Sequence, residues 1–448
     1  MESLFKSDAE VKSSLAFLKF PALRDHPRHT GDIWLKGKRI DDELGNLWRI
    51  HDGLYDFSEF ASIHPGGQDW IDLTRGTDIT EAFEAHHIRA YPETLLKIYF
   101  VEQATTPRNS PFTFHEDGFY KTLKRRVRKV LKDVPQEASK ISDKYADGTL
   151  AAYVVFAMMA AQTDSYIIAA IAGLFLSMTT IIAHNYFHRK DNFRMYYFDL
   201  SLMSSRSWRI THALSHHIYT NTVYDYEISF VEPFFQYLPM EKPLLVRYGS
   251  WFYGPVVFAL TFIASYIRML LQVHEDGLHT FRKEALLPFI IPILMYLTSN
   301  RTVIEVAILF GIIAIAGGTH FSTVGINAAH HHPKIFHDGD KPRSETLDWG
   351  LHELDTVAER SDINWSHYLV ITNFGEHSLH HLFPTLDHGM LKYLHPLVME
   401  VCKEFDAEIR ERTQLKLMAG QYLQLARVKP SESYADRSSS KSKRNQKG

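Results

Sequence analysis

Cysteine is almost missing from this chain of 448 residues, where Cys402 stands alone. A single thiol excludes intrachain disulfides, all-cysteine zinc sites and iron–sulfur clusters. Cys402 falls in a helical-looking C-terminal stretch and reads as a packed side chain. Charge of one sign is missing too, with 49 Lys and Arg against 52 Asp and Glu. The chain therefore lacks the basic excess that marks nucleic-acid binding, and no nucleic-acid partner is expected. The opening MESLFKSDAEVKSSLAFLKF has no apolar core long enough for a secretory signal, which predicts a cytosolic N-terminus. What the chain holds in excess is histidine, at 26 residues.

The length exceeds what one compact core usually holds, so two or more units are expected. Residues 1–23 read as an N-terminal extension. Residues 24–104 alternate short apolar runs with Gly, Pro and Asp turns and contain no stretch fit to cross a bilayer, the pattern of a small soluble α+β domain. Residues 105–148 form a basic linker that includes KTLKRRVRKVLKDV, with Leu and Val at helical spacing among Lys and Arg. Two readings stay open for it, a helix on an anionic membrane surface and a solvated linker helix.

From residue 149 to 428 the character changes to that of a helical membrane domain. Residues 149–161 and 165–183 are almost uncharged and are separated by a short QTDS turn, which predicts a hairpin of two membrane helices, the first one short. Further apolar runs lie at 251–273, 285–298 and 303–319. Length favours the first and last as spans, although Arg268 sits in the first. The middle run carries Pro288 and Pro292 and reads as interfacial or re-entrant. Residues 429–448, KPSESYADRSSSKSKRNQKG, read as a disordered basic tail.

The histidines gather where apolar runs end. HNYFH puts His184 and His188 at i and i+4, about 40° apart around a helix. HALSHH places His212 and His216 on one face, with His217 turned roughly 100° further on and free to serve a second metal. NAAHHHP follows the last run with Asn327 and His330 to His332. HSLHH brings His377, His380 and His381 to positions that a helix can aim at a common centre. Neutral imidazole is the commonest metal ligand. Scattered surface histidines do not explain why the clusters follow helix exits. A shared site requires every cluster on one side of the membrane, which holds if the first hairpin returns to the cytosol and two of the three later runs cross.

HNYFH, HALSHH and HSLHH resemble the three boxes of the membrane-bound fatty acid desaturases, HxxxH, HxxxHH and HxxHH or QxxHH. The resemblance covers residues 149 to about 395. It implies about four transmembrane helices plus interfacial helices. It also implies two non-haem irons held by His184, His188, His212, His216, His217, His377, His380 and His381. A further ligand in that family follows an Asn in the last span. His330 matches it best, with His331 as the alternative at i+4 from Asn327. The third box begins with His377, where front-end desaturases usually have Gln. Asp191, Glu376 and Asp348 stand near the boxes and are candidates to orient the imidazoles.

The stretch YDFSEFASIHPGGQDWIDLTRGTDITEAFEAHH carries a second signal. His64 precedes Pro65, Gly66 and Gly67, which set a tight turn with little bulk near the imidazole. A second histidine stands at 86 or 87, and two histidines on opposite walls of an apolar pocket can clamp a haem that only passes electrons. The stretch resembles cytochrome b5, including LYDFSEF before HPGG and GTDITEAF after it. In b5 domains fused to desaturases the second ligand lies 23 residues beyond the first, which selects His64 and His87 as axial ligands of haem b. Arg75 stands where that family often has a small residue.

The ligand type alone permits zinc, copper, iron or nickel, but a one-electron donor is useless to redox-inert zinc. The two resemblances together imply a multidomain fusion, an α+β cytochrome b5-like domain followed by an α-helical desaturase-like domain. They imply O2-dependent desaturation of a lipid acyl chain, with cytochrome b5 reductase feeding the haem. They also imply a multi-pass endoplasmic reticulum membrane protein with cytosolic termini. A lipid hydroxylase on the same scaffold, or a membrane-tethered electron carrier with an inactive desaturase-like half, are the alternatives.

Overall fold

The computed structural model describes Phe5, residues 9–326 and residues 329–437. Helix α1, Gly31–Asp42, begins at Thr30, whose hydroxyl accepts the Ile33 N–H. Three short antiparallel strands form one sheet in the order β1 (Trp48–Ile50), β2 (Gly53–Tyr55) and β3 (Phe100–Gln103). Helix α2, Thr80–His86, lies in the chain between β2 and β3. Trp48, Ile50, Phe57, Ile71 and Phe83 make the core of this small α+β domain. Full burial of each such side chain stabilises by about 1.5–3 kcal/mol. Arg75 lays its guanidinium over the Trp48 ring at 4.8 Å, so its long side chain covers the core's edge.

The segment expected to be a linker is a packed strap. Helix α3, Phe119–Val130, buries Phe119, Tyr120, Leu123 and Val127. The Tyr120 hydroxyl donates to the Leu382 carbonyl at 3.1 Å. Three of its basic residues pair with acids of the protein: Lys124 with Glu84 at 2.7 Å, Arg128 with Glu93 at 2.6 Å, and Arg126 with Glu404 at 2.6 Å. The pattern of apolar and basic residues fixed the helix, and the acidic partners on both halves of the chain fixed where it docks.

Helix α4, Glu137–Thr163, and helix α5, Tyr166–Phe187, form the expected hairpin around Asp164 and Ser165. The facing surfaces are small residues, Ala157, Ala160 and Ala161 against Ala169 and Ala172, which let helices approach closely. The first half of α4 carries Lys140, Asp143, Lys144 and Asp147. Among the described residues only α5 and Val303–Gly325 are continuous helices long and apolar enough to cross a membrane, and a bent pair would be a third.

That bent pair is the first of the three later runs, one expected as a span. Helix α6, Ser250–Ala259, and helix α7, Thr261–Asp276, meet at 69°. The far end of α7 meets the start of α1 and the segment before it, where Asp276 pairs with Arg28 at 2.6 Å and Gln272 donates to Asp32 at 2.9 Å. Polar Arg268 and Gln272 lie on the second limb of the bent pair. The middle run, after a 3-10 turn at Lys283–Phe289, is the short helix α8, Ile290–Leu297. It leads from Ala285, which accepts the Tyr266 hydroxyl, to Arg301, which pairs with Asp164 in the α4–α5 turn at 3.1 Å. Thus the middle run, read as interfacial or re-entrant, is the one that connects the two ends of the bundle.

Helix α9, Val303–His320, starts in a capping box of Thr302 and Glu305. A Cβ on Gly173 of α5 would meet the Ile313 carbonyl at 2.5 Å, and Ser177 hydrogen-bonds His320 at 2.8 Å. Advancing along α5 therefore advances along α9, so the two helices run parallel and deliver the residues after them to the same end. Helices α10, Trp349–Thr356, and α11, His377–Leu382, complete that end. Arg360 is fully buried and donates to the carbonyls of Gly325 and Val324, each at 3.0 Å, and to that of Phe374. It staples the loop before α11 to the exit of α9. Of the expected tail, residues 438–448 lie outside the described residues. Arg437 is buried, with its guanidinium 5.3 Å from the Phe336 ring and a 2.6 Å bond to the Lys341 carbonyl, so it anchors an otherwise mostly exposed segment. Cys402 is a buried free thiol, as expected.

The strap gives a stability prediction. Glu84→Leu strands the buried Lys124 and should cost about 3–5 kcal/mol. Arg126→Ala removes a half-exposed pair and should cost about 0–1 kcal/mol. Thermal unfolding in detergent reads both, and equal losses would contradict the packing described.

Candidate functional site

The first site lies in the small domain. His64 Nδ1 is bonded to the Gly67 carbonyl at 2.9 Å and His87 Nδ1 to the Phe83 carbonyl at 3.0 Å, so each ring has its Nε2 left to ligate. The ring centres are 6.2 Å apart. Opposed imidazoles on one metal, each nitrogen roughly 2.0–2.1 Å from it, set their centres about 6 Å apart, so the gap fits a haem held between them. A Cβ on Gly66 would lie 2.9 Å from His64 Cε1, and Gly67 has φ +118°, so both glycines are required by the turn. His86 points elsewhere: its Nδ1 is bonded to the Ala82 carbonyl at 2.8 Å and its ring lies against Trp70 at 5.2 Å. Burial pushes the His86 pKa down to about 4 and that of His87 to about 3, so both are neutral.

The second site stands where α5 and α9 end. His184, His188, His212, His217 and His380 are buried with ligand nitrogens within 4.8 Å of one another. The separations are 2.9 Å for His184–His188, 2.8 Å for His184–His212, 3.0 Å for His212–His217 and 3.1 Å for His184–His380, all between Nε2 atoms. Nitrogens sharing one metal at roughly 2.0–2.1 Å stand about 2.9–3.4 Å apart, so these converge as ligands do. His216, His330 and His381 form a second group of the same kind. His330 Nε2 is 3.2 Å from His216 Nε2 and 2.7 Å from His377 Nε2, which adds His377 to that group. The buried Nε2 of His381 has no hydrogen-bond partner.

The partition differs from the one expected of an α-helix. Arg209–His216 is a π-helix, and its i→i+5 spacing brings His217 beside His212. His216 turns to the other group, so the roles of His216 and His217 are exchanged. HSLHH is likewise split: His377 and His381, at i and i+4, share the second group with ring centres 4.8 Å apart, and His380 faces the first. His331 lies outside both groups, stacked on Tyr237 at 3.5 Å, and Asn327 falls outside the described residues.

Buried carboxylates hold the imidazoles. Glu227 meets His212 Nδ1 at 2.6 Å, Asp225 meets His216 Nδ1 at 2.9 Å and Glu353 meets His381 Nδ1 at 2.8 Å. The three acids expected to do this have other work. Asp191 pairs with Arg209, Glu376 faces His395 at 3.5 Å, and Asp348 caps α10. Glu359 was not singled out by sequence, yet it accepts the His377 and Ser378 N–H groups at 2.9 and 2.6 Å and fixes the start of α11. His388 was missed as well; it packs on His380 at 4.4 Å and bonds Asn185 at 3.0 Å. Nothing in their spacing announces these residues, because they reach the site through folding rather than along one helix face.

Burial pushes His212, His217, His330, His377, His380 and His381 well below the usual histidine range, leaving them in the neutral form that binds metal. Burial lowers His216 also, but Asp225 and Glu227 outweigh it and hold the group up at about 9. Beside the clusters runs a cavity lined by Trp208, Glu227, Phe258, Tyr266, Met269 and Arg268. Trp208 and Glu227 both touch His212, so the cavity reaches the edge of the first group.

Asp225→Asn should weaken metal retention by about 10–100-fold, the usual cost of losing an orienting carboxylate. Asp348→Asn should leave it unchanged. Metal content after graded chelation reads the two, and equal retention would contradict the assignment of Asp225.

Residues 165–413 match the family model described as fatty acid desaturase, and residues 37–104 match that of the cytochrome b5-like haem/steroid binding domain. The chain is 44% identical over 428 residues to the "Cytochrome b5-related protein" of Drosophila melanogaster, covering 94% of this chain and 97% of that one. It is 24% identical to the "Probable Delta(5) fatty acid desaturase C" of Dictyostelium discoideum, across 83% and 89% of the two chains. No solved structure matches it. The cytochrome b5 domain brings a haem and the desaturase domain a di-iron centre, together with a lipid substrate and association with a membrane. The chain belongs to the fatty acid desaturase family, as an oxidoreductase with a cytochrome b5 domain fused ahead of its desaturase domain.

Proposed function

We propose that the protein is an acyl-lipid desaturase that uses O2 and draws electrons through its own haem. The observation that carries this reading is the pair of buried histidine groups beside a cavity of mixed lining, one wall of which is made by Trp208, Phe258, Tyr266 and Met269. His64 and His87 would hold haem b between them. His184, His188, His212, His217 and His380 would hold one iron, and His216, His330, His377 and His381 the other. Two irons supply, when bound, the oxidising power to break an unactivated C–H bond. The chain's own residues do the rest. Glu227, Asp225 and Glu353 fix the imidazoles that they touch, Trp208 closes the inner end of the cavity against His212, and Phe258, Tyr266 and Met269 give an acyl chain an apolar wall. Cytochrome b5 reductase is the electron donor to the haem.

The parallel course of α5 and α9 supports a common cytosolic side for both histidine groups, with the small domain and the C-terminal segments. α4, α5, the stretch through α8, and α9 are then the four crossings, and the α6–α7 pair is re-entrant and walls the cavity, as irregular backbone at membrane depth does. The membrane is that of the endoplasmic reticulum, with both termini cytosolic.

Lipid profiles of cells expressing the parent and His380→Ala test the reading. The variant should keep its haem spectrum, lose non-haem iron and lose the O2-dependent change in acyl chains. A parent that holds haem without non-haem iron, in cells whose lipids do not respond, would make the protein an electron carrier.

A further inference from the structure

The seam between the two halves is built from residues of both sites. The Asp191 N–H donates to the Gly66 carbonyl at 3.3 Å, and a Cβ on Gly67 would strike the Asp191 carboxylate at 2.5 Å. The haem-binding turn is therefore seated directly on the chain just past His188. Arg209, at the head of the π-helix that carries His212, pairs with Asp191 and lies over the Trp70 ring at 5.0 Å. Trp70 packs on His86 at 5.2 Å. The His86 carbonyl accepts the Thr385 hydroxyl at 3.3 Å, shortly after His381. His86 itself precedes His87 in the chain, and its buried Nε2 has no hydrogen-bond partner. A polar atom buried without a partner costs free energy, which an apolar side chain at this place would avoid.

Resting on the haem-to-metal reading above, we infer that Trp70 and His86 are positioning residues for electron transfer, a pair of packed rings that carries the electron across the seam. One electron leaves the ferrous haem, which becomes ferric, and one ferric ion at the histidine groups becomes ferrous. No bond forms or breaks, and His86 keeps its Nδ1 proton on the Ala82 carbonyl. The haem domain then works from a fixed seat, without swinging on a tether.

The test uses the full-length protein loaded with haem and iron, with neither O2 nor lipid present, so that turnover plays no part. A photoreduced flavin delivers one electron to the haem in a pulse, and the ferrous haem band is followed. The parent should show a fast decay as the electron moves on. His86→Leu and Trp70→Leu should keep the low-spin spectrum, the haem midpoint potential and the iron content while losing the fast decay. Trp70→Phe retains a ring and should retain the decay. An unchanged fast decay in His86→Leu overturns the inference, and so does loss of the low-spin spectrum in that variant, which would make His86 a haem ligand. A fully loaded parent with no fast decay would overturn the haem-to-metal reading and the inference with it.

Discussion

The i→i+5 hydrogen bonding of Arg209–His216 is the constraint on which the site depends. An α-helical turn there would present His212 and His216 to one centre and send His217 away. The π turn instead puts His217 with His212 and frees His216 to meet His330. Once that division exists, every other element falls on one side of it. α5 supplies His184 and His188 to the first group. The exit of α9 supplies His330 to the second, and α11 feeds both. A π turn has poorer hydrogen-bond geometry than an α turn and needs support. Here α1 presses on it so closely that a Cβ on Gly31 would lie 3.1 Å from Ile210, while Glu227 and Asp225 grip its two outer histidines.

What was legible in the sequence follows from this. Box spacing identified the histidines, because i, i+3 and i+4 positions on short helices declare themselves in any chain. The partition was not legible, since a π turn is fixed by what packs on it. Asp225 and Glu227 sit in a stretch, TVYDYE, with no metal-site pattern, and Glu353 and Glu359 come from segments distant in sequence. Asp191 and Glu376 stand nearer to the boxes and Asp348 farther off, yet they serve an ion pair, a histidine contact and a helix cap. Proximity along the chain predicted composition of the neighbourhood and not the hydrogen bonds.

The membrane half shows the same limit. Hydropathy marked the apolar runs correctly, and the α4–α5 hairpin formed where the short polar turn placed it. Length favoured the bent run as a span, but length cannot register its 69° break or the pairing of Asp276 with Arg28 at its far end. The amphipathic pattern of the basic segment gave the helix α3, whereas its docking against Glu84, Glu93 and Glu404 was set by acids on both halves. That strap, with the Gly67–Asp191 contact, holds the haem turn against the histidine groups.

The division of the second box between two metals is the central claim, and an anomalous difference map at the iron absorption edge tests it most directly. The account predicts two peaks beside α5 and α9, one ringed by His184, His188, His212, His217 and His380, the other by His216, His330, His377 and His381. A single peak, or His212 and His216 on the same iron, would contradict it.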